Sequence, residues 1–287
     1  MVTTQFAYHR AGSLSDAMAL LQEFGDDARL LAGGHSLLPM MKLRLATPGH
    51  LIDISRIPSL SGIFESGTSI RIGALTIHAD VAASHVPDIP AVLTEAASAI
   101  GDVQVRNRGT IGGSLAHADP GADLPAAILT TGAEVVAAGA KGERVIPAEK
   151  FFVDAFQTAL APGEIIVQVR IPASVPGTGG AYEKYPDPAS SYCLLGVAAN
   201  IRTVGGAIAE ARVAITGICA GRAARLTAVE QALAGKPPTA ATAKAAAAKA
   251  ADALELFDDM RGSAAYKANL ARVYTARAIT RAVGSIR

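Results

Sequence analysis

An α+β fold is predicted for this chain of 287 residues, and three observations predict it. The first is an N-terminal strand–helix–strand pattern that empties into the glycine turn Ala32-Gly33-Gly34-His35-Ser36. The second is a middle region that mixes short alternating strands with short helices. The third is an alanine-rich helical C-terminal part, set behind a segment dense in proline and glycine. Half of the residues are hydrophobic and 18% are charged, the balance of a folded globular chain rather than a disordered one. This length can bury a sizeable core and allows two or three modest domains.

The elements follow in order. Phe6 to Arg10 reads as a strand, Ser13 as the N-cap of the next helix with Asp16 three residues on, and Ala17, Leu20, Leu21 and Phe24 repeat at helical spacing up to Gly25. Arg29 to Ala32 is the next strand. Beyond the glycine turn, Leu37 to Leu43 reads as a short helix, Pro48 closes the unit and Leu51 to Ile54 returns as a strand. Ser69 to Ile72 alternates as a strand, Thr76 caps a helix over Ile77 to Ala83, and a helix over Pro90 to Ile100 carries Pro at its first turn and Gly101 at its end. The turn-rich Asp119-Pro120-Gly121-Ala122-Asp123 precedes a helix over Leu124 to Leu129, and Val135 to Ala137, Arg144 to Ile146 and Ile165 to Ile171 read as strands. Pro172 to Gly180 is the clearest linker, and a domain boundary belongs there. Strands over Leu195 to Ile201 and Ile208 to Ile215 flank the hairpin turn Gly205-Gly206. Helices then cover Leu226 to Leu233, the alanine-rich Thr239 to Leu256 anchored by Leu254 and Phe257, and Tyr266 to Val283.

Several function classes are excluded. The net charge is +1 and no Lys/Arg block stands out, so neither nucleic acid nor a membrane surface is expected as a partner. No stretch has the roughly 18 consecutive apolar residues of a membrane span, and Met1 to Phe6 lacks a basic region leading into an apolar core; a cytoplasmic location is expected. Cys193 and Cys219 form no Cys-x-x-Cys and read as buried free thiols in a reducing compartment. An iron–sulfur cluster needs more thiolates than these two supply, so the chain cannot ligate one alone.

Glycine lets a backbone take positive φ and come close to a ligand, so the N–H groups of Gly33, Gly34, His35 and Ser36 can converge on an anion such as a diphosphate. Thr110-Ile111-Gly112-Gly113-Ser114 repeats the pattern. One such turn mostly marks an ordinary loop; two suit a diphosphate clamped from both sides by backbone nests and by the hydroxyls of Ser36, Thr110 and Ser114. The short helix from Leu37 adds its N-terminal dipole, and Asp123 is a candidate acceptor for a sugar hydroxyl or ring N–H. Phosphate-loop and Gly-x-Gly-x-x-Gly fingerprints are absent. His35 and His117, with Ser36, Ser114, Asp119 and Asp123 near them in sequence, lack the Gly-x-Ser-x-Gly elbow of a hydrolase and any metal-ligand spacing, so no metal site is expected. Taken singly, Lys184 reads as solvated and Tyr192 as half-buried.

Ala32 to Lys42, Ile72-Gly73-Ala74-Leu75-Thr76, Val105 to Ser114 and Ala181-Tyr182-Glu183-Lys184 together carry a resemblance that runs, in order, through essentially the whole chain. They resemble the FAD-binding medium subunits of molybdenum hydroxylases, the xanthine dehydrogenase family, and most of all its aerobic carbon monoxide dehydrogenase branch. The resemblance implies two N-terminal α/β subdomains of the vanillyl-alcohol-oxidase-like FAD-binding type over 1–56 and 57–176. It implies a C-terminal domain over 177–287 with a small antiparallel sheet and a helix bundle.

The resemblance also implies roles. FAD is the expected cofactor. Ala32 to Ser36 and Thr110 to Ser114 would hold its diphosphate, with Leu31, Leu37, Ile100 and Gly101 at their flanks. His117 and Asp123 would lie along it, and Lys184 and Tyr192 near its isoalloxazine ring. A large subunit would carry a molybdenum cofactor, and a small one two [2Fe–2S] clusters. This chain would pass electrons to an external acceptor within a dimer of heterotrimers, and would itself hold no catalytic residue. Two departures stand out: Ser114 where the family often has Asn, and Tyr185 to Ser191 where the carbon monoxide enzymes carry a basic run. An N-heterocycle, purine, alkaloid or aldehyde hydroxylase is therefore an alternative. A cofactor-free scaffold would have lost the turn glycines or Asp123, which are intact, and the substrate domain of a stand-alone flavin oxidase is not recognisable.

Overall fold

Parallel pairing organises the N-terminal part. In a computed structural model, which describes residues 2–217, 220–252 and 254–286, β1 (Ala7–Arg10), α1 (Leu14–Phe24), β2 (Ala28–Leu31), α2 (Leu37–Lys42) and β3 (His50–Asp53) build a three-stranded sheet of order β1-β3-β2. α1 starts where Ser13 Oγ accepts the Asp16 N–H at 3.1 Å and stops at Gly25, as the residue pattern requires. Cys219 lies outside the described residues.

The middle part is antiparallel. β4 (Ile63–Ser66) and β5 (Ser69–Gly73) form a hairpin that leads into α3 (His78–Ala82), α4 (Ala91–Ser98), α5 (Val103–Arg106), α6 (Ile111–His117) and α7 (Leu124–Thr130). After them come β6 (Glu134–Gly139), β7 (Gly142–Pro147), α8 (Ala148–Phe151), the small hairpin of β8 (Phe152–Asp154) and β9 (Gln157–Thr158), and β10 (Ile165–Pro172). The main sheet has the order β4-β5-β10-β6-β7. Alternation along its central strands divides the core. Val135, Ala137, Val169 and Ile171 pack under α4, α6 and α7, while Val136, Ala138, Ile165 and Val167 cover the N-terminal part. A bulge between Ile166 and Gln168 resets the register of β10 between the two faces.

The C-terminal part carries β11 (Thr178–Pro186), β12 (Cys193–Val204), β13 (Ala207–Thr216) and β14 (Ala224–Arg225) in one antiparallel sheet in that order, followed by α9 (Thr227–Leu233), α10 (Ala240–Ala247) and α11 (Ala264–Gly284). One face of this sheet meets the three helices through Val197, Ala199, Ile201, Val213 and Ile215. The opposite face, with Tyr182, Ala198 and Ala214, joins the core of the middle part. β12 is therefore buried on both sides, which explains its continuous apolar run.

Four local expectations change. Thr76 does not cap α3: its Oγ1 accepts the Gly62 N–H at 2.9 Å and so closes the neighbouring loop, and Ile77 takes the cap position. Residues 178–180, expected in the linker, begin β11, where a Cβ on Gly179 would overlap the Ala282 carbonyl oxygen; this glycine serves the close approach of α11. The alanine-rich helix ends at Ala247 rather than Leu256, and Phe257 is 68% exposed rather than anchoring it. Packing outlasts the helix, since Ala250 is fully buried and Leu254 still packs on the C-terminal core; helix propensity alone does not set the end. Ala253, inside the longer expected span, lies outside the described residues. The second glycine motif is the first turn of α6 rather than an open turn, with Thr110 Oγ1 accepting the Gly113 N–H at 3.1 Å. Among the described residues, no helix is long and apolar enough to cross a membrane.

Candidate functional site

Both glycine motifs open on one cleft of about 660 Å³, within the size of small-molecule sites. β2 and α2 position the first, α5 and α6 the second. The two loops touch, because a Cβ on Gly33 would overlap the Arg108 carbonyl oxygen just before Gly109. Gly34 has φ 76°, and Leu31 packs beneath it. Among the described residues, nothing accepts from the N–H groups of Gly33, Gly34, His35 and Ser36. The second motif differs from the expected nest. Ile111 N–H donates to Thr76 O at 3.0 Å, Gly112 N–H to Ala74 O at 2.8 Å and Ser114 N–H to Thr110 O at 3.0 Å, so these donors are spent on the segment that follows β5 and on the first turn of α6 itself. One backbone nest faces the cleft, not two.

Of the residues singled out from sequence, Ala32 to Leu37, Ile100, Gly101, Thr110, Gly112, Gly113, Ser114, His117, Asp123, Lys184 and Tyr192 line this cleft. Leu31 and Ile111 do not; Ile111 is fully buried in the core. His117 ends α6 with its ring tilted against Phe156 at 5.1 Å between centroids, 3.9 Å from Asp119. Arg106 ties down the other wall by donating to Ile100 O at 2.8 Å.

Asp123, 5% exposed, forms the polar centre. Its Oδ2 accepts from Lys184 Nζ at 2.9 Å and its Oδ1 from the Tyr182 hydroxyl at 2.7 Å; Lys184 also donates to Ala99 O at 2.8 Å. Lys184, expected as a solvated side chain from its sequence alone, is instead the cation of a buried pair. Burial pushes the Asp123 carboxyl up, and Lys184 and Tyr182 pull it back toward the charged form. Tyr192 is 39% exposed and donates its hydroxyl to Asp119, its ring filling the space above Gly121. Burial and that bond keep its hydroxyl protonated well above the usual range.

Sequence reasoning missed Tyr182, His78 and the β10 residues Ile165 and Ile166. Tyr182 had a legible signal: it stands two residues before Lys184, on the same face of a strand. His78 lines the cleft and is 4% exposed; burial first and His35 second hold it neutral, its pKa lowered to about 4. Ile165 and Ile166 carried no signal beyond an apolar strand. The loop bearing Asp123 is held from below, where the buried Thr216 Oγ1 lies 3.1 Å from Pro120 O and 2.9 Å from Ala122 O. Thr216→Val is expected to cost about 1–3 kcal/mol by removing the hydroxyl from the Ala122 carbonyl, while Pro120 O keeps the Gly217 N–H at 2.7 Å, read as a lower urea midpoint; an unchanged midpoint would show the bond carries nothing.

The family described as the FAD binding domain in molybdopterin dehydrogenase matches residues 4–174, and the CO dehydrogenase flavoprotein C-terminal domain matches residues 180–282. The chain belongs to this family of FAD-binding molybdenum hydroxylase subunits. It is 44% identical to the carbon monoxide dehydrogenase medium chain of Hydrogenophaga pseudoflava over 98% of each chain. It is 38% identical to subunit alpha of the 6-hydroxypseudooxynicotine dehydrogenase complex of Paenarthrobacter nicotinovorans, over 99% of this chain and 96% of that one. A solved structure of the Hydrogenophaga pseudoflava carbon monoxide dehydrogenase, in a form lacking the Mo-pyranopterin moiety, superposes with a TM-score of 0.95 over all of both chains. The vanillyl-alcohol-oxidase-like flavoprotein architecture of this family of oxidoreductase subunits is thus the fold described above. Its cofactor, FAD, fits the cleft on this chain's own evidence, since residues with open N–H donors line it where Gly33 lets two loops close.

Proposed function

We propose that this chain is the electron-exit subunit of a molybdenum-containing hydroxylase or dehydrogenase, holding FAD and passing electrons from a partner's iron–sulfur clusters to an external acceptor. The observation that carries the reading is the nest of Gly33 to Ser36 closed against the Arg108–Gly109 backbone. FAD supplies the redox chemistry, and the chain positions and tunes it. Gly33, Gly34, His35 and Ser36, with the side chains of Thr110 and Ser114, would take the diphosphate. Ile100, Gly101 and His117 would line its path, Asp123 and Lys184 would face the ring, and Tyr192 would cover one side of it. Parts 1–56, 57–176 and 177–287 are the proposed domains.

Two cysteines cannot ligate a cluster, so electrons that pass through iron–sulfur clusters would arrive from another polypeptide. A small iron–sulfur subunit and a large molybdenum-cofactor subunit are the proposed partners, in a cytoplasmic dimer of heterotrimers. Carbon monoxide is the first substrate to test. The 38% relative named for 6-hydroxypseudooxynicotine, and the Tyr185 to Ser191 stretch without basic residues, favour an alkaloid of the nicotine type as the second.

The test is the absorbance of the purified chain, alone and with its co-expressed partners, with acid release of any yellow cofactor. Flavin bands released as FAD, bleached by substrate only when the partners are present, are expected. Colourless protein in both preparations would overturn the reading, and bleaching in the isolated chain would assign a self-sufficient oxidase.

A further inference from the structure

We infer that Tyr182 is a positioning residue for the redox chemistry of the cleft: its hydroxyl, donated to Asp123 Oδ1, holds that carboxylate charged against Lys184 and so sets the charge the wall presents to the flavin. This rests on the function proposed above and deepens it. Tyr182 is 5% exposed and does not line the cleft, so it acts only through Asp123. Its place is fixed three ways. β11 puts it on the face that carries Lys184; its N–H donates to Glu95 Oε2 at 2.8 Å; and a Cβ on Gly196, paired with Lys184 across the ladder, would overlap its hydroxyl. An ammonium has three donors. Lys184 spends one on Asp123 and one on Ala99 O, which leaves one for the cleft it lines.

The groups facing Asp123 are Lys184 and Tyr182 from β11 and Cys193 from β12, with Tyr192 at longer range. Asp119 lies at the rim with the Tyr192 hydroxyl and His117. Cys193 and Tyr182 are both pushed above their ordinary values by burial, so neither titrates near neutrality. Asp123 is therefore the group whose charge changes when the hydroxyl is removed. Once protonated it no longer offsets Lys184, the wall becomes more positive, and electron uptake by a flavin beside it becomes easier.

The test is a reductive titration of the FAD-loaded full chain or complex against reference dyes across a pH series. The native protein is compared with Tyr182→Phe, which keeps the ring, and Asp123→Asn, which removes the titrating group. In Tyr182→Phe the pH at which the midpoint potential departs from the Asp123→Asn curve is expected to rise by about one to two units, the equivalent of one hydrogen bond to a charged group. Asp123→Asn is expected to hold the potential high and to leave only the pH dependence that the flavin's own proton uptake gives. A loaded Tyr182→Phe protein with the native curve, or an Asp123→Asn protein whose curve matches the native one, would overturn this inference alone. A native chain that takes up no FAD overturns both it and the proposed function.

Discussion

Gly33→Ala is expected to produce a folded chain that purifies almost without flavin. The added methyl would sit on the Arg108 carbonyl oxygen, a backbone atom that cannot rotate away, and would meet the Gly109 Cα at 2.9 Å. The loop after β2 must then back away from the start of α6, and the N–H groups of Gly33 to Ser36 lose the wall they close against. Overpacking of this kind costs about 1–3 kcal/mol, and charged entirely to binding it weakens FAD by roughly 5- to 150-fold. Flavin released by acid per mole of protein and a fluorescence titration with added FAD read the effect directly. Gly284→Ala, where nothing lies within 4 Å of the new methyl, should keep its flavin. Native affinity in Gly33→Ala would show that the contact between the loops is not what shapes the nest.

Lys184→Met should destabilise the chain by about 3–5 kcal/mol, because it leaves a buried carboxylate without its cation. The loss should depend on pH. Burial already raises the folded Asp123 carboxyl above its ordinary value of 3.8. A group raised in this way gives its full stability below the ordinary value and loses it as pH climbs through the folded one. Without Lys184 the folded value moves higher still, and the loss runs on into neutral pH. The gap between variant and native protein is therefore expected to be small near pH 4 and greatest at about pH 7 and above. Urea unfolding at both ends of that range checks it. An equal gap at both, or none, would mean that the pair is replaced by water or that Asp123 is not the group at stake.

Much of the chain was legible from residue order. α1 follows from Ser13, an apolar helical period and Gly25, all within a dozen neighbouring residues. The two glycine motifs identified the loops that line the cleft, but not that the N–H groups of Ile111 and Gly112 are spent on Thr76 O and Ala74 O, because those acceptors lie more than 30 residues away just past β5. The alanine run over-predicted its helix, because propensity is a property of each residue and does not fix where a helix ends; α10 stops at Ala247 although Ala250 beyond it is still fully buried.

The sequence alone determined the α+β class, the family, and a cysteine count too small for an iron–sulfur cluster, since these depend on composition, short-range periodicity and motifs of adjacent residues. Only the tertiary structure decided that Lys184 is a buried cation rather than a solvated one. Only it showed that Tyr182 shares Asp123 with that cation, and that Gly33 is a glycine because of Arg108. Each of those facts joins residues between 59 and 75 positions apart through distances and burial, and the charge state of a carboxylate is set by what surrounds it in space.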